Sequence, residues 1–188
     1  MMKAIIISGS RNPQGQTAKA ARALLEGLRS QGADGELAFL PEMHLERCRQ
    51  CDPAGWGICR TEGKCVIEDG FASLVAKLRG ADVAVFATPV YFGDLSESAR
   101  AFLDRLRRTC MHEAGKKDLA GKCAVGICVA GGGGGGAPSC AVSLERVLGT
   151  CGFDVVDVVP VRRQNLKMKL QVLRVTGEWL AGCRSSRV

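Results

Sequence analysis

The sequence predicts one α/β domain, a five-stranded parallel sheet with helices on both faces. Three observations lead there. Short apolar runs alternate with helix-period segments along the chain, the pattern of strand–helix crossovers. The runs are apolar throughout, as strands covered on both faces are. The 188 residues, 46% of them apolar, suffice for one core, and no linker is long enough to divide them, so the domain spans 1–188.

Each element has its own signal. Residues 3–8 (KAIIIS) form a buried-strand run. Residues 17–29 repeat Ala21, Leu24, Leu25 and Leu28 at the helix period, with Thr17 as N-cap. Residues 36–40 make the second strand; Phe71, Leu74, Val75 and Leu78 mark the second helix. Residues 82–88 are strand three, and Ala99, Phe102, Leu103 and Leu106 mark helix three. Residues 122–129 are strand four, followed by a helix through Leu144, Val147, Leu148 and Cys151. Residues 153–159 close the sheet, and Leu166, Leu170, Leu173 and Leu180 mark the last helix. The common five-stranded solution is the flavodoxin-like order 2-1-3-4-5, in which ligands bind beyond the carboxyl ends of the strands beside strand one. The loops after strands one, three and four are therefore expected at one edge.

Composition narrows the function classes. The apolar run at residues 4–7 is too short for a signal-peptide core, and no run reaches membrane-helix length, so the expected location is the cytoplasm. There, ten cysteines are expected as thiols rather than disulfides. Scattered ones, such as Cys123, Cys128 and Cys151, read as core. The net charge of +7 is spread over loose groups that include Arg105, Arg107, Arg108, Lys116, Lys117, Arg162, Arg163, Lys167 and Lys169. Solvated helix faces are the plain reading; attraction of an anionic cofactor or an acidic protein is the sharper one. Nucleic acid is not expected, because there is no basic tail and aromatics are 5% of the chain.

Three loops carry the chemistry. GSRNPQGQT, residues 9–17, joins strand one to a helix N-terminus, where free N–H groups and the helix dipole favour an anion. It is not a Walker A loop: five residues separate Gly9 from Gly15, and Gln16 stands where lysine is needed. A phosphate monoester suits it better than a triphosphate; an unliganded polar turn is the alternative. TPVYFGDLSES, residues 88–98, places Tyr91 and Phe92 beside Pro89 and Gly93; the alternative is that both rings cap the core. AGGGGGGAP, residues 130–138, offers bare amides and room for a flat ligand, or else is only a flexible loop.

Together these loops resemble the NADPH-dependent FMN reductase and iron–sulfur flavoprotein families of the flavodoxin-like group. The resemblance runs from GSRNPQGQT through ATPVYFGDLSESARAFLDRL to the glycine run. It implies FMN, with Ser10, Arg11, Asn12, Gln16 and Thr17 holding the phosphate. Pro89, Val90, Tyr91, Phe92 and Gly93 would line the isoalloxazine, and Gly131, Gly132, Gly133 and Gly134 would lie along its other side. The phosphate loop departs from the family's usual SPRxxGNT, so Gln16 takes the place of an asparagine. The resemblance also implies a homodimer or homotetramer with the flavin near a subunit boundary.

Residues 41–69 form a Cys-rich insertion, longer than an ordered connection usually is. It leaves the sheet at the carboxyl edge. Cys48, Cys51, Cys59 and Cys65 are spaced C-x2-C-x7-C-x5-C. They match the iron–sulfur flavoproteins in location and number but not in the second gap. Three readings stand: one [4Fe–4S] cluster on four thiolates, a structural zinc on the same ligands, or free thiols. Gly55, Gly57 and Gly63 suit a loop that wraps a metal.

The two histidines, His44 and His112, fall outside the three loops, and there is no nucleophile elbow, which agrees with a cofactor that carries the chemistry. The expected function is an FMN-dependent oxidoreductase. It takes electrons from NAD(P)H, or from ferredoxin through the cluster, and passes them to a quinone, free flavin or oxygen species. The rivals are a non-catalytic flavin/iron–sulfur electron carrier and a regulator that kept the fold.

Overall fold

The computed structural model describes residues 1–183. In chain order its elements are β1 (Lys3–Ser8), α1 (Gln16–Ser30), β2 (Asp34–Phe39), α2 (Phe71–Gly80), β3 (Val83–Tyr91), β4 (Asp94–Leu95), α3 (Glu97–Thr109), α4 (Glu113–Lys116), β5 (Cys123–Ala130), α5 (Ala137–Thr150), β6 (Asp154–Arg162) and α6 (Leu166–Leu180). The parallel strands lie in the order β2-β1-β3-β5-β6, which is the expected 2-1-3-4-5. The sequence reading missed β4, which pairs antiparallel with the end of β3, Val90 opposite Leu95 and Tyr91 opposite Asp94. Phe92 and Gly93 make the two-residue connection, with φ of 51° and 81°. Positive φ at both positions is the geometry of a primed hairpin turn. The residue-Gly pair between two strand-like dipeptides was its signal.

The period of two sorts β1 between two cores. Ile5 and Ile7 pack with Phe71, Phe86, Phe102 and Leu144 under α2, α3 and α5. Ala4 and Ile6 pack with Leu24, Leu28, Ile127 and Leu173 under α1 and α6. Cys123, Cys128 and Cys151 are buried as expected, joined by Cys110 and Cys140. Burial pushes the Cys123 thiol up to about 11. Helices α1 and α6 cross at two glycines: a Cβ on Gly27 would lie 2.0 Å from the Arg174 carbonyl oxygen, and one on Gly177 2.1 Å from that of Leu24. This close crossing fixes α1 and the loop before it.

One cap is corrected. Helix α1 begins at Gln16, its N-cap is Gly15, and no side chain caps it. Thr17 lies inside the first turn and is buried. The helix starts one residue earlier because Gly15, extended at φ −74° and ψ 177°, already accepts from the Lys19 N–H at 3.0 Å. No described helix is long and apolar enough to cross a membrane.

Candidate functional site

The carboxyl edge brings the three loops into mutual contact. The Gly9 carbonyl accepts from Ser98 Oγ at 2.9 Å and from Ser96 Oγ at 3.3 Å, joining the first loop to the start of α3. A Cβ on Gly9 would lie 2.6 Å from Ser96 Oγ, so glycine is needed for this approach. Ser139 Oγ donates to the Gly93 carbonyl at 3.0 Å. A Cβ on Gly136, at φ 77°, would lie 2.6 Å from Gly93 Cα. The second and third loops thus meet backbone to backbone. Gly131 closes the ring against the Gln16 carboxamide, with a virtual Cβ 3.6 Å from Oε1. Gln164 Nε2 holds the glycine run from outside, donating to Gly133 O at 3.0 Å. Sequence reasoning missed Ser96, Ser98 and Ser139. The first was detectable, since a serine just before a helical run is the standard N-cap, and Ser96 Oγ does accept from Ala99 N.

The expected phosphate residues surround the start of α1. Ser10 is buried; its hydroxyl donates to Asn12 O at 3.1 Å and accepts from Asn12 N at 3.3 Å. Arg11 and Asn12 are exposed, and Asn12 Oδ1 accepts from Gln14 N at 2.9 Å. With a glycine N-cap, the first N–H groups of α1 have no side-chain acceptor, the usual state of a helix start open to an anion. Gln16 Oε1 is buried without a hydrogen-bond partner, and a buried acceptor left alone calls for a donor.

The ring-lining residues follow. Pro89, Val90 and Gly93 are half-buried. Tyr91 is 43% exposed and Phe92 entirely so, so neither ring caps the core. The hairpin turn lifts Phe92 off the sheet, where no core side chain can reach it. Gly131 is half-buried, Gly132 and Gly133 are exposed, and Gly134 is buried. Virtual Cβ atoms on Gly132 and Gly133 meet nothing. Open amides, an orphaned acceptor, side-chain-free backbone and exposed aromatic surface at one junction fit FMN: phosphate, hydroxylated chain and flat ring.

The insertion behaves differently. From residue 44 to residue 70 the chain has no regular helix or strand. Its first part lies by the junction, where Leu40, His44 and Arg47 share a cavity with Arg11 and Ser98. The cysteines lie farther on. Cys48, Cys51, Cys59 and Cys65, none of them in a disulfide, line one cavity with Arg105 and Arg108 of α3. From Ser98 to Arg108 that helix rises about 15 Å at 1.5 Å per residue. So the insertion leaves on the expected edge, and its cysteines then gather along α3, away from that edge. The donor set fits a thiolate-bound group in kind and number. Among the described residues, no three His, Cys, Asp or Glu side chains stand close enough together to hold a metal ion.

Cation–π contacts order this loop. Arg60 and Arg108 both approach the Trp56 ring, 5.5 and 4.8 Å from its centroid, and Arg108 donates to the Gly55 carbonyl. Arg105 corrects the reading of the basic residues as solvated helix faces. Its side chain is 1% exposed and bound to Asp69. It follows Phe102 by three residues and precedes Leu106 by one, which places it on the apolar stripe; that was its signal. Burial works against its charge, but the hydrogen bonds to Asp69 outweigh burial and raise its pKa.

Residues 2–164 match the protein family described as NADPH-dependent FMN reductase. Over 131 residues, 70% of this chain and 65% of the relative, the sequence is 33% identical to an iron–sulfur flavoprotein of Methanocaldococcus jannaschii. Over 104 residues, 55% of this chain and 52% of the relative, it is 32% identical to an iron–sulfur flavoprotein of Methanosarcina thermophila. The chain thus spans about half to two thirds of these relatives. Among solved structures, it resembles an NAD(P)H:quinone oxidoreductase from Methanothermobacter marburgensis with a TM-score of 0.69 and 21% identity, over 95% of this chain and 96% of the other. An NADH:FMN oxidoreductase superposes with a TM-score of 0.65 and 21% identity, over 100% and 92%. At such identity the two structures speak to the flavodoxin-like fold.

Proposed function

We propose that this chain, which belongs to the NADPH-dependent FMN reductase family, is an FMN-dependent oxidoreductase. In this reading it draws electrons from NAD(P)H or ferredoxin and delivers them to a small acceptor such as a quinone, free flavin or oxygen species. The observation that carries the reading is the closed contact of three loops around the start of α1, with Gln16 Oε1 orphaned inside it. Bound FMN supplies the hydride and single-electron chemistry. The chain's own groups bind and orient. Ser10 and the first N–H groups of α1 hold the phosphate, with Arg11, Asn12 and Thr17 around it. Gln16 Oε1 accepts a hydrogen bond from a hydroxyl. Gly131 to Gly134 lie along the ring without side chains, while Pro89 to Gly93, with Tyr91 and Phe92, shield it from water. Backbone N–H groups of the loops would offer positive dipole to a bound ring, so no side chain need act as base.

Cys48, Cys51, Cys59 and Cys65 are assigned to one [4Fe–4S] cluster. Support comes from four thiols on one cavity and from relatives named iron–sulfur flavoproteins. The rise along α3 favours electron passage between copies of a cytoplasmic homodimer or homotetramer. Purification without air tests both assignments. FMN and about four irons per chain, with NAD(P)H-dependent reduction of a quinone, are expected. FAD, or colourless protein that cannot be loaded with FMN, overturns the flavin reading. Stoichiometric zinc without iron overturns the cluster.

A further inference from the structure

We infer that Arg105 is a positioning residue for the cysteine site: its Nε–H serves the sulfur of Cys65, and its fixed charge raises the reduction potential of the group that the four thiolates hold. The inference rests on the cluster reading above. Arg105 donates through Nη1 to Asp69 Oδ2 at 2.6 Å and to the Glu46 carbonyl at 3.1 Å, and through Nη2 to Asp69 Oδ1 at 2.9 Å and to the Ile67 carbonyl at 3.5 Å. A tether between α3 and the insertion accounts for all four bonds. It leaves Nε, which is buried without a hydrogen-bond partner. The side chain that carries this donor lines the cavity of the four cysteines, and its Nη2 reaches the Ile67 carbonyl, two residues from Cys65.

A guanidinium cannot shed its proton. A cluster gains one negative charge on reduction, so a buried N–H and positive charge beside its ligand sulfur stabilise the reduced form more than the oxidised form. Hydrogen bonds to ligand sulfurs are a known lever on such potentials. A hydrophobic residue would fill the stripe between Phe102 and Leu106 without leaving an unpaired donor.

The test loads wild type and Arg105→Lys anaerobically with ferrous iron and sulfide. Iron per chain, the reduction midpoint by dye-mediated titration and the melting temperature are read. Lysine keeps the charge and removes Nε–H. The variant is expected to hold iron while its reduced-to-oxidised ratio at a fixed potential falls about tenfold, that is, by about 59 mV for a one-electron couple. An unchanged midpoint with a lowered melting temperature makes Arg105 a structural tether only and overturns the inference, leaving the cluster reading intact. No iron in wild type overturns both. If Arg105→Lys does not fold, reduced wild type grown on 15N-arginine is read by pulsed EPR. A guanidinium nitrogen coupling that survives Arg108→Lys supports the inference. No coupling, or its loss in that variant, overturns it.

Discussion

Arg105 and Asp69 form a two-pronged buried ion pair, at 2.6 and 2.9 Å, with side chains 1% and 10% exposed. The same carboxylate accepts from the backbone of Glu46 at 2.9 Å and of Phe71 at 3.0 Å, and the guanidinium lies 4.3 Å from the Phe71 ring centroid. One side chain thus ties both ends of the insertion to α3 and starts α2. Removing one partner leaves the other charge buried alone. Asp69→Ala is expected to cost about 3–5 kcal/mol in denaturant unfolding. A loss below about 1 kcal/mol means that the insertion is anchored elsewhere.

Acid should act through the same pair. Burial alone would raise the Asp69 carboxyl; the hydrogen bonds from Arg105, Glu46 and Phe71 outweigh it and hold the group below its ordinary 3.8. The stabilisation is complete above that value and is lost as pH falls through the lower native one. Wild type should therefore lose stability faster than Asp69→Asn as pH drops below about 4. Parallel acid curves count against the pair.

Gly136→Ala should part the second and third loops. Its φ is positive, and the new Cβ meets Gly93 Cα at 2.6 Å. The expected cost is about 1–3 kcal/mol, with weaker FMN binding by fluorescence titration. Full affinity in a folded variant shows that this contact does not shape the flavin site.

Phe92→Gly should separate function from folding. Phe92 combines a positive φ with complete exposure, so glycine relieves strain and gives up no packing. Stability is expected to hold or to rise by about 1 kcal/mol, while FMN affinity or quinone turnover falls. Unchanged affinity and turnover show the ring to be idle.

Cys59→Ser should remove the iron and leave FMN bound, because the cysteine cavity and the loop junction are separate places on the fold. Iron analysis and the flavin spectrum read this on one sample. Iron retained at the wild-type level removes Cys59 from the ligand set.

The sequence by itself determined the sheet, its order and the meeting of the three loops. These features follow from runs of consecutive residues: the apolar stretches of β1, β3 and β5 and the helix period of α1 and α3 need no knowledge of distant partners. Local signals also existed for the hairpin at Phe92–Gly93 and for the Ser96 cap. Only the tertiary structure decided where the cysteines go. Their loop begins beside Arg11 and Ser98 and then follows α3, because a pairing across thirty-six residues, Asp69 with Arg105, holds it there. The same distance concealed the state of Arg105. Its place on the stripe of Phe102 and Leu106 was legible, but a buried arginine is stable only with a carboxylate in reach, and no local pattern says which part of the chain will bring one.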